Sequence, residues 1–330
     1  MPAQQMPIPS HGAPSAEGVA RAAAKIAALL PQTPLFEAEV NGATIWLKAE
    51  SLQPVGAFKI RGAWHRLTDL SDAERVAGVV GVSSGNHAQG VAWAARRLGI
   101  PATIVMPSNA PQIKLDATRA LGANVVEYDR AGGEDRDEVA ARLVAQSGAT
   151  LVHAFADPWV IEGQGTAGLE IIAQMAVRGL DRPTRIVCPC GGGGLTAGLA
   201  LACPDAVIVP VEPEGWDDVR VSLQRGEIVG VADPSAPTDC DALQTPATRP
   251  INFAVLKERV PFGLMVTPAE VRAAQRWAFA KLHLVLEPGG AAALAAVLAG
   301  KAQTDGRTAV ILSGGNTDAA AFAQVINSSD

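Results

Sequence analysis

Short apolar runs alternate with helix-patterned stretches along most of this chain, and glycines or prolines punctuate the changes. Parallel strands need a crossover long enough to hold a helix, so this alternation is the pattern of parallel sheets flanked by helices. Residues 76–82 read as a strand. Residues 87–98 read as a helix that ends in Arg96 and Arg97 and stops at Gly99, with Pro101 just beyond. The cycle continues with a strand at 102–106, a helix at 112–121 stopped by Gly122, a strand at 124–128 and an acidic-headed helix at 134–146 closed by Gly148. A later series holds a helix at 164–178, a strand at 185–190, four glycines, a helix at 195–202 and a strand at 206–212, and the last strand lies at 308–312. The fold class is α/β. Between residues 226 and 250 the periodicity fails, with Pro234, Pro237, Pro246 and Pro250 marking a long irregular connection. No repeat of fixed period is visible.

A chain of 330 residues with 48% hydrophobic content can bury a large core and suggests about two domains. A net charge of -6 and the lack of any basic run argue against nucleic acid as a partner. Residues 1–18, rich in Pro, Ala and Gln, read as a mobile tail and not as a signal peptide. The longest apolar candidate, 291–299, is too short to span a membrane. A cytoplasmic protein is expected, and Cys188, Cys190, Cys203 and Cys240, without zinc-type pairing, read as buried thiols.

Two local features point to chemistry. Lys59 stands between Phe58 and Ile60, where apolar neighbours disfavour the ammonium and leave an amine able to form a Schiff base. A solvated lysine with a buried stem is the bland alternative. Gly191, Gly192, Gly193 and Gly194 follow an apolar strand and open a helix, where backbone N–H groups can converge on a phosphate. An aldehyde cofactor carrying a phosphate satisfies both. Two other motifs compete. Gly81-Val82-Ser83-Ser84-Gly85 matches the G-x-S-x-G elbow of serine hydrolases, with His153 and His283 downstream but neither in a context that marks a base. Gly192 to Ala197 matches G-x-G-x-x-A with Glu212 at dinucleotide spacing, which imitates a nicotinamide-dependent oxidoreductase but leaves Lys59 unexplained.

The ordered set of segments resembles the pyridoxal-phosphate enzymes of the tryptophan-synthase β type, fold type II, in the branch of threonine/serine dehydratases and serine racemases. The matching segments are Leu47 to Glu50 with Gly56 to Gly62, Ser83 to Gly90, Gly163 to Thr166, the four glycines, Glu287-Pro288 and Ser313 to Asn316. The resemblance implies a large domain of residues 19–70 and 158–330 with a small domain, 71–157, inserted in it. It implies pyridoxal 5'-phosphate held covalently by Lys59, which also serves as the Cα base. Phe58 would pack beside the ring and Asn86 would bond its hydroxyl. Gly191, Gly192, Gly193 and Gly194 would bind the phosphate, and Ser313 would face the pyridine nitrogen.

Ser83, Ser84, Asn86 and His87 would grip the substrate carboxylate. The implied reaction is β-elimination from threonine or serine to a 2-oxo acid and ammonia. Ser84 stands where racemases carry serine and could reprotonate the opposite face, so racemisation is the alternative. Gly289, in place of the usual threonine, and Cys240-Asp241-Ala242, in place of Ala-Asp-Gly, leave 3-hydroxyaspartate open as a substrate. The resemblance also places Mg²⁺ or Ca²⁺ on Glu212, the Trp216 carbonyl and Asp218, against the bland reading of an acidic helix start. A homodimer and the absence of an appended regulatory domain are further expectations.

Overall fold

The computed structural model of the chain describes residues 12–83, 85–110, 112–129 and 132–328. Helix α1 (Ala16–Ala27) starts at Ser15, whose hydroxyl accepts from the Gly18 N–H. A hairpin follows, β1 (Leu35–Val40) and β2 (Ala43–Lys48). Asn41 and Gly42 at its tip take φ of 52° and 79°, the two-residue turn that matches strand twist. Next come α2 (Ile60–Thr68), α3 (Asp72–Ala77), β3 (Val79–Val82), α4 (Asn86–Leu98), β4 (Ala102–Pro107), α5 (Gln112–Ala120), β5 (Asn124–Tyr128), α6 (Arg136–Ser147) and β6 (Thr150–Val152). The second half runs α7 (Pro158–Val177), β7 (Arg185–Pro189), α8 (Gly194–Ala202), β8 (Val207–Pro213), α9 (Asp218–Arg225) and α10 (Pro250–Arg259). It closes with β9 (Leu264–Val266), α11 (Pro268–Leu282), α12 (Pro288–Leu298), β10 (Thr308–Ile311) and α13 (Ala319–Asn327).

The strands form two sheets. One has the order β1-β2-β10-β7-β8-β9 and is parallel except for the β1/β2 hairpin. The other, β5-β4-β3-β6, is parallel throughout. Helices cover the faces, and the central strands read as unbroken apolar runs because both their faces are buried. Ile186, Val187 and Cys188 of β7 have no exposed surface.

Close helix contacts explain the segment Gly163 to Thr166. A Cβ at Gly163 would lie 2.6 Å from Gly62 Cα, and one at Gly198 would lie 2.3 Å from Ile161 O. Glycines therefore let α2, α7 and α8 approach backbone to backbone. Beneath this contact the Arg61 guanidinium, fully buried, donates to Glu50 (2.7 Å twice) and to Glu170 (2.7 and 2.9 Å). Lys48 joins it through Glu170 at 2.6 Å. Each buried charge has an opposite partner, and the network pins the backbone beside Lys59.

Several expectations need correction. Residues 16–18 are not tail: Ser15 caps α1, and Gly18 is buried. Residues 1–11 lie outside the described residues. The strand expected at 76–82 begins at Val79, because Ser71 and Glu74 form a capping box that commits Asp72–Ala77 to helix and leaves Val76 82% exposed. The helix expected at 164–178 begins at Pro158, with the Asp157 carboxylate accepting from Val160 N–H. Residues 226–249 hold one 3₁₀ turn, Asp241–Leu243, and are otherwise irregular, and Pro250 opens α10. Among the described residues, no helix is long and apolar enough to cross a membrane.

Candidate active site

Lys59 lies at the turn that starts α2, and its ammonium donates to the Ala154 carbonyl at 2.8 Å. Burial pulls its pKa down to about 8, against the opposing pull of Glu287, so roughly a tenth of the amine is neutral at pH 7. The Lys59 Nζ sits 5.2 Å from the Phe58 ring centroid, and the Phe58 N–H donates to the Ser313 carbonyl at 3.1 Å. Lys59, Phe58 and Ser313 line one cavity together with Asn86, His87, Glu287 and the four glycines.

The glycines connect β7 to α8. Gly193 is the N-cap of α8 with φ 86°, and no side chain caps the helix, so the first N–H groups face the cavity without a partner of their own. A Cβ at Gly192 would stand 2.4 Å from the Phe155 ring. The cradle fits a phosphate: concave, uncapped and at the positive end of a helix. With Lys59 opposite, these residues fit pyridoxal 5'-phosphate. Ser313, buried at 4% exposure, supplies a neutral hydroxyl in the same cavity.

Helix α4 begins at Asn86 with Gly85 as an N-cap that has no side-chain bond, so this helix also presents free backbone donors. The Ser83 hydroxyl accepts from Gly85 N–H at 3.2 Å. Asn86 Nδ2 donates to Glu287 Oε1, and Asn86 Oδ1 accepts from Asn316 Nδ2 at 2.8 Å. What His87 can offer is limited to its backbone. Its Nε2 donates to the Val152 carbonyl at 2.9 Å, and burial, with Lys59 nearby, pushes its pKa down to about 3. The neutral ring has no proton left for a carboxylate, so only the His87 backbone can donate. Ser84 lies outside the described residues.

The competing readings fail on the same geometry. His153 Nδ1 accepts from Phe155 N–H at 3.3 Å and from Ala156 N–H at 2.9 Å, and burial drives its pKa down to about 3. His283 ends α11, and among the described residues no histidine bonds Ser83. The hydrolase triad is not assembled. Glu212 accepts from Val219 N–H at 3.0 Å and Arg220 N–H at 2.7 Å, and it is fully buried outside the cavity lining, so a ribose there has no access to it. All four cysteines are buried free thiols, and burial keeps them protonated, with Cys188, Cys203 and Cys240 pushed up to about 12.

The expected cation site is mixed. Among the described residues no cluster of three or more His, Cys, Asp or Glu could hold a metal. Yet Asp218 Oδ2 accepts from Thr248 N–H at 2.7 Å while its buried Oδ1 has no partner. Burial and the neighbouring Asp218 push Glu212 well up, and burial pushes Asp218 up to about 7. Two crowded, buried carboxylates with an orphaned oxygen suit a hard cation with oxygen ligands.

Among the cavity residues that sequence reasoning missed are Lys114 of α5, Arg136 at the head of α6 and Phe155. Lys114 pairs with Asp241 from the irregular connection. Arg136 lies 3.5 Å from Asp137, which also reaches Arg249 at 3.2 Å. Only the acidic head of α6 was visible in the sequence, and no local signal separates Arg136 from a solvated helix charge.

The sequence profile of the pyridoxal-phosphate dependent enzyme family matches residues 26–314. An L-threo-3-hydroxyaspartate ammonia-lyase from Pseudomonas sp is 40% identical over 317 residues, covering 93% of this chain and 97% of the relative. A serine racemase from Schizosaccharomyces pombe is 38% identical over 323 residues, covering 95% and 98%. Among solved structures, a threonine deaminase from T.th. has a TM-score of 0.85 at 42% identity, covering 92% of this chain and 99% of that one.

Proposed function

Because the chain belongs to the family of pyridoxal-phosphate dependent enzymes, we propose that it is an ammonia-lyase whose preferred substrate is a β-hydroxy amino acid with a second carboxylate, 3-hydroxyaspartate, ahead of threonine and serine. The observation that carries this choice is Arg136. Arg136 lines the cavity that holds Lys59 and the donor-rich start of α4, and it shares its partner Asp137 with Arg249, while Lys114 is matched by Asp241. The likeness to a 3-hydroxyaspartate ammonia-lyase supports the same substrate.

In this reading Gly191, Gly192, Gly193 and Gly194 hold the cofactor phosphate, Lys59 holds it covalently, and Asn86 and Ser313 contact the ring. The bound cofactor supplies an electron sink for the charge left at Cα. Ser313 would offer the ring nitrogen a neutral hydroxyl, which cannot hold it protonated as a carboxylate would, and so would moderate that sink. Lys59, as a free amine, would take the Cα proton. The backbone donors of α4 orient the α-carboxylate and Arg136 the β-carboxylate. Loss of the β-hydroxyl as water gives an enamine, whose imine form takes up water and releases ammonia and the 2-oxo acid. Residues 71–157 carry α4, Lys114 and Arg136, and the rest of the chain carries Lys59 and the phosphate loop. Substrate therefore bridges two units that can close on it.

The test is a panel of L- and D-serine, L-threonine and 3-hydroxyaspartate, scored for 2-oxo acid and for the enantiomer of recovered substrate. Arg136→Met should raise KM for 3-hydroxyaspartate by roughly 10- to 100-fold, the worth of one charge-assisted hydrogen bond, and leave threonine within about twofold. Equal loss on both substrates, or racemate exceeding product, would defeat the proposal. The same reading assigns Mg²⁺ or Ca²⁺ to Glu212, the Trp216 carbonyl and Asp218, where it neutralises buried charge. Either cation should raise Tm by a few degrees, about 1 kcal/mol, in the wild type and not in Asp218→Asn. A similar rise in both would remove the cation from this position.

A further inference from the structure

Glu287 is a buried carboxyl that the reaction as described does not use. It is the N-cap of α12, yet its side chain makes no capping bond to its own helix. Instead it reaches across the cavity, 1% exposed, and accepts from Asn86 Nδ2, while its Oε2 has no partner. Gly314 permits this reach, since a Cβ there would stand 2.1 Å from Glu287 Oε1.

The bonds form a directed chain. Asn316 Nδ2 donates to the Val55 carbonyl at 2.8 Å and to Asn86 Oδ1 at 2.8 Å, and Asn86 Nδ2 donates onward to Glu287. A carbonyl cannot donate, so the Val55 end fixes the Asn316 amide. An ionised carboxylate cannot donate either, so the Glu287 end fixes the Asn86 amide. Flipping Asn86 would set oxygen against oxygen at Glu287 and N–H against N–H at Asn316. We propose that Glu287 is a positioning residue: as a carboxylate it locks the Asn86 amide so that one of its two N–H groups is left for the cofactor, and it loosens that lock on protonation. This rests on the pyridoxal-phosphate reading of the cavity and not on which amino acid is the substrate.

The groups facing Glu287 come from every element around it: Asn86 of α4, Lys114 of α5, Lys59 at the start of α2, and Asp241 and Cys240 of the irregular connection. Burial pushes the Glu287 pKa up to about 7, with Lys114 opposing and Asp241 assisting. Protonated Glu287 can donate to a flipped Asn86, so the lock weakens as pH falls through neutrality.

The experiment is a pH titration of the cofactor's visible absorbance in the holoenzyme, wild type against Glu287→Gln, with Tm as a check on folding. The wild type should show a spectral step with its midpoint at about 7, lost on the acid side. E287Q should keep its Tm and its visible band but show no step, with kcat lower by roughly five- to tenfold, as for one misdirected hydrogen bond. A wild type without the step, or an E287Q step at the wild-type midpoint, overturns the proposal. If E287Q takes up no cofactor, Glu287→Asp, which keeps the carboxylate but withdraws it from Asn86, must move the midpoint; an unmoved one overturns it too. A protein with no visible band when loaded sinks the cofactor reading itself, a separate result.

Discussion

The His87 imidazole is held neutral by burial, and this makes it a measurable acid liability. Its unfolded form titrates near 6.5 and its folded form at about 3, so between these values the unfolded chain binds the extra proton. The contribution is complete above about 6.5 and drains away as pH falls toward 3. From 6.5 down to 5 the difference is roughly 2 kcal/mol. Glu287 and Asp157, whose folded pKa values are raised, act in the opposite sense, but a single-site comparison cancels them. Urea unfolding at pH 7.5 and pH 5 should therefore show the wild type losing about 2 kcal/mol more than His87→Gln, whose amide can still donate to Val152. Equal losses would mean that the ring is already solvated. Lys59 was legible from the sequence because its apolar flanks are its chain neighbours. The opposite fate of His87 was not, because the carbonyl that accepts from its ring N–H lies on β6, far along the chain.

At the scale of elements, the phosphate cradle depends on the absence of side chains in the turn before α8. Gly192→Ala would drive a methyl into the Phe155 ring, and the loop must shift to relieve it. Overpacking of this kind costs about 1–3 kcal/mol, so cofactor affinity should fall by roughly 10- to 100-fold in equilibrium dialysis. Affinity within twofold of wild type would show that the loop does not carry the phosphate. This loop was readable in advance because β7 and β8 are buried on both faces and stand out as apolar runs around it. The β1/β2 hairpin went unread, although Asn41-Gly42 at its tip is a strong turn signal, since β1 is an edge strand whose interior residues are only half-buried or exposed and include Glu37 and Glu39. The first turns of α7 were missed for a different reason: residues 158–168 are buried all round, which erases the helical period. Val76 misled because a β-branched residue before a strand reads as strand, whereas the Ser71 and Glu74 box decides locally.

For the whole molecule, the informative contacts are those joining residues 71–157 to the remainder, which no local pattern announces. Lys114 with Asp241 and Asp137 with Arg249 both span that junction. Asp137 and Arg249 lie outside the cavity lining, although Asp137 also pairs with Arg136, which lines it. The pair is partly exposed and worth at most about 1 kcal/mol, which is up to about fivefold in an equilibrium constant. If it favours closure, Asp137→Asn and Arg249→Met should each raise KM for threonine by roughly two- to fivefold with kcat held within about twofold. Threonine is the proper reporter, because it lacks the second carboxylate that Arg136 would bind and is blind to charge released inside the cavity. The double variant should do no more than Asp137→Asn alone, because Arg249→Met then has no partner left to lose. Added salt should likewise raise KM in the wild type and less so in the variants, by screening a pair they no longer have. If the two single effects add in the double variant, the contact is incidental to closure, and the two units are held together by the buried Asn86 and Glu287 bond and the Lys114 pair instead.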